Sequence, residues 1–144
     1  MNTSPTTLDQ QSAYRERLQQ AKRVMEGLVE AQQTDRFNIN IFAAQRGDHI
    51  IGCIAGLCGL DPWFQKQGFV TRVASYYNSL GDVSIGLRDF FGTDIPFYAS
   101  NYEADKPVTV EDAIRALDRA LERFSSDQEN IDSVANSAVI DRHG

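Results

Sequence analysis

Apolar residues at the start of the chain recur with a helical beat. Tyr14, Leu18, Ala21, Met25 and Leu28 form a single stripe along an expected helix of residues 8–33, whose other positions are mostly Gln, Arg, Lys and Glu. The seam is long enough to pack the helix onto the protein's own core, whereas a free-standing coiled coil needs about three or four heptads. Phe37-Asn38-Ile39-Asn40-Ile41-Phe42 then alternates apolar and polar, compatible with a short strand or a one-turn helix, and Arg46-Gly47-Asp48 reads as a turn. His49 to Leu60 is almost wholly apolar and rich in small residues. As a helix it would set Gly52, Cys53, Gly56 and Gly59 along one side, where another backbone can come close. Residues 50–60 are therefore the expected central buried helix.

Asp61-Pro62 suits either the end of that helix or the start of another. Phe69, Val70, Val73, Ala74, Tyr77 and Leu80 follow at helical spacing up to Gly81-Asp82, and Val83 to Phe91 fits a shorter helix with Leu87, Phe90 and Phe91 inward and Gly92 at its end. Residues 92–107 carry Pro96, Pro107 and two tyrosines with little periodicity, a long loop of the kind that often carries function. The clearest helix is Val110 to Phe124. Thr109 stands as its N-cap and Glu111 and Asp112 lie in its first turn. Val110, Ala113, Ile114, Leu117, Leu121 and Phe124 make its stripe, and Arg115, Asp118, Arg119, Glu122 and Arg123 read as a solvated face. Beyond Phe124 the chain turns polar and serine-rich, with Ile131, Val134, Ala138 and Val139 suggesting a weak last helix. The expected fold is mainly α: a single compact domain of four or five helices over residues 1–124, with room for one short β-hairpin near residues 37–51, and a polar tail over 125–144.

Composition bears this out. With 144 residues, 42% hydrophobic and 24% charged, one globular core is affordable and wholesale disorder is disfavoured. No apolar run approaches the roughly 18 residues of a membrane span, and the first residues lack the basic and apolar pattern of a signal peptide, so a cytoplasmic location is expected. Cys53 and Cys58 then read as reduced thiols. The net charge of −6 argues against nucleic-acid binding. That charge is uneven: residues 101–132 hold nine acids and four bases.

Gly52-Cys53-Ile54-Ala55-Gly56 resembles a segment found in a group of small uncharacterised bacterial and phage proteins, where a buried Cys-(Ile/Leu)-Ala-Gly helix precedes a closing amphipathic helix. The comparable later stretches here are Leu80-Gly81, Asp89-Phe90-Phe91-Gly92 and Val108-Thr109-Val110-Glu111-Asp112-Ala113-Ile114. The resemblance spans roughly residues 37–124. Asp48-His49-Ile50-Ile51 stands where those proteins often have Cys-Gly-Thr. The resemblance implies a fold and a phage or bacterial origin, with no activity attached.

Tests for chemistry leave little. Cys53 with His49 four residues before it is the best catalytic pair, but a small core cysteine explains Cys53 more simply. Cys53, Cys58, His49 and His143 match no zinc spacing; no calcium loop or nucleotide-binding loop is present in the pattern; and no cofactor is implied. Arg46-Gly47-Asp48 spells an integrin tripeptide that is common by chance. Aromatics from Trp63 to Tyr77 could stack on single strands, but the acidic balance favours a packing role. The preferred reading is a noncatalytic phage or bacterial accessory protein acting by protein binding or self-assembly. Its candidate partner-binding residues are Trp63, Phe64, Tyr76, Tyr98, Tyr102, Glu103 and Asp105. Two alternatives stand beside it: an acidic inhibitor of a host or defence nucleic-acid-binding enzyme, and a thiol enzyme using Cys53 and His49.

Overall fold

The computed structural model describes residues 8–73, 82–103 and 105–124. Helix α1, Leu8–Glu30, buries Leu18, Ala21, Met25 and Leu28 along the expected stripe. It ends at Gln32, which takes φ 56, while the Gln33 amide donates to Leu28 O (2.8 Å) and the Gln32 amide to Val29 O (3.1 Å). This crossed pair of bonds satisfies the last carbonyls with a glutamine where glycine is usual. Strands β1 (Ala43–Arg46) and β2 (His49–Gly52) pair antiparallel, with Ala43 opposite Gly52 and Arg46 opposite His49. Gly47, at φ +60, supplies the left-handed conformation that their two-residue turn requires.

Helix α2, Ile54–Cys58, is capped by Cys53, and α3, Pro62–Lys66, starts where the Asp61 carboxylate accepts from the Trp63 amide at 3.1 Å. A second two-stranded ladder joins β3 (Thr71–Arg72) to β4 (Asp82–Val83). Helix α4, Leu87–Phe91, closes at Gly92 with φ +76. Short 3-10 turns follow at Ile95–Phe97 and Ala99–Asn101, and α5 occupies 110–124. Among the described residues, five helices and a hairpin in one domain make the protein mainly α.

Three expectations are corrected. The central buried helix shrinks from residues 50–60 to Ile54–Cys58, because His49–Gly52 joins the hairpin, which begins at Ala43 and not at Phe37. The helix expected from Phe69 does not form over its first residues. Phe69 is fully buried, the Thr71 hydroxyl donates to Gly56 O at 2.7 Å, and the Thr71 amide donates to Gly59 O at 3.2 Å. These long-range bonds to α2 hold the chain extended; residues 74–81 lie outside the described set, as does the expected tail helix. The shorter helix also starts later than expected, at Leu87, because Asp82 and Val83 pair in the ladder.

The close approach read from the glycines is real: Gly56 meets the hairpin's own lead-in, and Gly59 meets Thr71. A Cβ on Gly56 would stand 1.7 Å from Phe42 O, and one on Gly59 would stand 2.0 Å from the Thr71 hydroxyl. Beside this contact the core is aromatic. Phe64 lies 5.9 Å from Phe69, 6.0 Å from Phe90 and 5.8 Å from Phe91, ring centre to ring centre, and Phe91 lies 4.5 Å from Phe97. Arg17 closes the cluster from α1. Its guanidinium sits 4.2 Å over the Phe90 ring and donates to Phe90 O at 2.8 Å.

Helices α1 and α5 run antiparallel. Lys22 reaches Asp118 at 2.8 Å, while Tyr14 stacks obliquely on Phe124 with ring centres 5.7 Å apart. At its start, α5 carries a reciprocal cap: the Asp112 amide donates to the Thr109 hydroxyl at 3.1 Å and the Thr109 amide donates to the Asp112 carboxylate at 3.0 Å. The Thr109 amide is the main reason the Asp112 carboxyl lies below its ordinary pKa.

Candidate functional site

The start of α1, the end of α5, α4 and the segment after α4 line a cleft of about 680 Å³. Small residues make the room. Ala116 and Ala120, one turn apart on α5, form part of the lining, and Gly92 lets the Tyr14 ring lie where a Cβ would be 2.4 Å away. Arg119 and Arg123, also one turn apart on α5, line the cleft, as does Arg88 from α4. Arg88 is engaged by Asp94 at 2.9 Å. Neither Arg119 nor Arg123 has an ion pair with a carboxylate among the described residues. Asp89 lines the same cleft, so cations outnumber carboxylates there in a chain whose net charge is −6. The Gln11 Oε1 in the wall is buried without a hydrogen-bond donor.

The segment Ile95–Tyr98, of which Ile95 lines the cleft, forms an apolar, stiff lip beside it. Ile95 and Tyr98 are 45% and 49% exposed, although Pro96 and Phe97 between them are buried. Three bonds fix the backbone that carries them: Asn101 Nδ2 donates to Ile95 O at 2.8 Å, the Tyr102 hydroxyl to Pro96 O at 2.6 Å, and the Ile95 amide to the Thr93 hydroxyl at 3.2 Å. Burial, the largest influence, pushes the Tyr102 phenol well above its ordinary range, so it remains a donor at every physiological pH.

The sequence candidates scatter. Tyr98 is on the lip, and Tyr102 is half-buried beneath it as a strut. Phe64 is 0% exposed at the centre of the core, which rules it out as a surface residue in this fold. Trp63 is half-buried, edge-on to Phe64 at 5.0 Å between ring centres. Tyr76 lies outside the described residues. Glu103 and Asp105 are exposed, and Glu103 is paired with Lys106 at 3.2 Å. Sequence reasoning missed Arg119 and Arg123. The available signal was a pair of arginines one turn apart interleaved with a pair of alanines one turn apart.

Cys53 and His49 are not brought together. His49 is exposed at the turn end of β2, whereas Cys53, four residues on along extended chain, is buried and its thiol faces Phe42 O at 3.7 Å. Burial raises the Cys53 thiol above its ordinary pKa, and burial likewise raises Cys58 well above. Both effects oppose the thiolate a nucleophile needs. Native labelling of Cys53 by a small thiol reagent is expected to run more than about tenfold slower than labelling of the denatured chain, because reaction must await local opening. Rapid native labelling at neutral pH that disappears in His49→Ala would reverse this assignment.

Among the described residues no cluster of His, Cys, Asp or Glu could hold a metal ion, and no helix is long and apolar enough to cross a membrane. No family model matches the chain, and no match emerges among curated proteins or solved structures.

Proposed function

We propose that the protein is a noncatalytic accessory protein of phage or bacterial origin that works by binding another protein through the Ile95–Tyr98 lip. The observation that carries this reading is the exposure of two large apolar side chains on a backbone that side-chain bonds already hold. Such an anchor loses little conformational entropy on association, and tyrosine at the centre of an interface commonly dominates its energy. The acidic-inhibitor reading draws less support. Glu103, Asp112 and Asp118 are each matched to a nearby cation, respectively Lys106, Arg115 and Lys22, which breaks up the anionic face that phosphate mimicry needs.

The test is affinity capture with the purified chain, followed by equilibrium measurement on the recovered partner and by sedimentation of the protein alone. Ile95→Ser and Tyr98→Ala should each weaken binding by about 2 kcal/mol or more. Val29→Ser, at the opposite end of α1, should leave it unchanged; Val29 is 40% exposed, so exposure itself is controlled. Were the partner a second copy, the same two substitutions would disperse the oligomer. Equal binding by wild type, Ile95→Ser and Tyr98→Ala would sink the proposal.

A further inference from the structure

We propose that the cleft behind the lip is a binding site for a small aromatic phosphate of nucleoside-monophosphate type, held by Arg119 and Arg123 on its anion and by Tyr14 and Phe124 against its ring. The first observation is electrostatic. Two exposed guanidinium groups one helical turn apart line the cleft, and neither is matched to a carboxylate among the described residues, whereas Arg88 beside them is held by Asp94. Arginine offers a planar fork of donors that fits phosphate oxygens in pairs, so two adjacent forks suit an anion with several oxygens.

The second observation is the wall chemistry. Tyr14 and Phe124 present aromatic rings to the cleft, giving a planar group a surface to lie against. Size is the third. At about 680 Å³ the cleft falls within the range of small-molecule sites, roughly 300 to 1,000 Å³. The alanines at 116 and 120 create that space, since larger side chains on the same turn would occupy it.

The test uses purified full-length protein at low salt with adenosine 5′-monophosphate and guanosine 5′-monophosphate as probes, followed by calorimetry and amide chemical shifts. At least one monophosphate should bind, while adenosine, guanosine and inorganic phosphate alone should bind about tenfold more weakly or worse, because each supplies half of the contacts. Arg119→Ala and Arg123→Ala should each weaken binding about tenfold or more, with lysine restoring part of it. Ala120→Phe, which fills the cleft, should abolish binding, with its melting temperature recorded to separate filling from unfolding. Failure of both monophosphates to bind at millimolar concentration, or equal binding by wild type and both arginine-to-alanine variants, would overturn the assignment. Inorganic phosphate binding as tightly as the monophosphates would overturn the aromatic half of it.

Discussion

Gly56→Ala is expected to destabilise the protein by about 3 kcal/mol, at the upper end of the range for overpacking, and Gly56→Leu by more. A Cβ at this position would stand 1.7 Å from Phe42 O and 2.8 Å from Phe42 C, which are backbone atoms that no rotamer change can move aside. Relief requires shifting either the hairpin lead-in or α2. Two sets of hydrogen bonds resist that shift: Gly56 O accepts the Thr71 hydroxyl at 2.7 Å, and the Cys53 amide donates to Phe42 O at 3.4 Å. Gly27→Ala is the matched control. It lies inside α1 with nothing within 4 Å of its added Cβ, so the helix should gain roughly 0.5 to 1 kcal/mol. Thermal and urea unfolding of the two variants should therefore move in opposite directions. A Gly56→Ala protein melting with the wild type would show that the hairpin and α2 do not meet at this point.

What was legible in the sequence depended on how local the cause was. The cap of α5 needs only Thr109 and Asp112, three residues apart, and the stripe of α1 needs only its own period; both helices stand where the pattern put them. The small residues of 52–59 signalled close backbone approach correctly. They were silent on its partner, because Phe42 reaches Gly56 through the hairpin fold-back. Helical spacing from Phe69 onward misled for a related reason. The bonds that hold Thr71 extended come from Gly56 and Gly59, and period alone carries no record of them. The cleft was the least legible feature. Arg119 and Arg123 read as a solvated face on an isolated helix, and they line a cleft only because α1 and the segment after α4 wall in the space beside Ala116 and Ala120.

Phe64 provides the sharpest separation between a core aromatic and an interface aromatic. Phe64→Ala should cost about 3 to 5 kcal/mol in urea unfolding, the range for deleting a buried ring and leaving a cavity. The ring is fully buried and faces four others, Trp63, Phe69, Phe90 and Phe91, at centre distances from 5.0 to 6.0 Å, so no single neighbour can collapse into the void. Phe64→Leu should recover a large part of the loss by refilling volume without the ring contacts. Tyr98→Ala should behave in the opposite manner. Its side chain is about half exposed, so stability should change by less than about 1 kcal/mol while partner binding falls. The two residues thus predict separable phenotypes, one seen in folding and the other in association. A Phe64→Ala variant within about 1 kcal/mol of wild type that nonetheless lost partner binding would return Phe64 to the surface and displace the aromatic cluster from the centre of the fold.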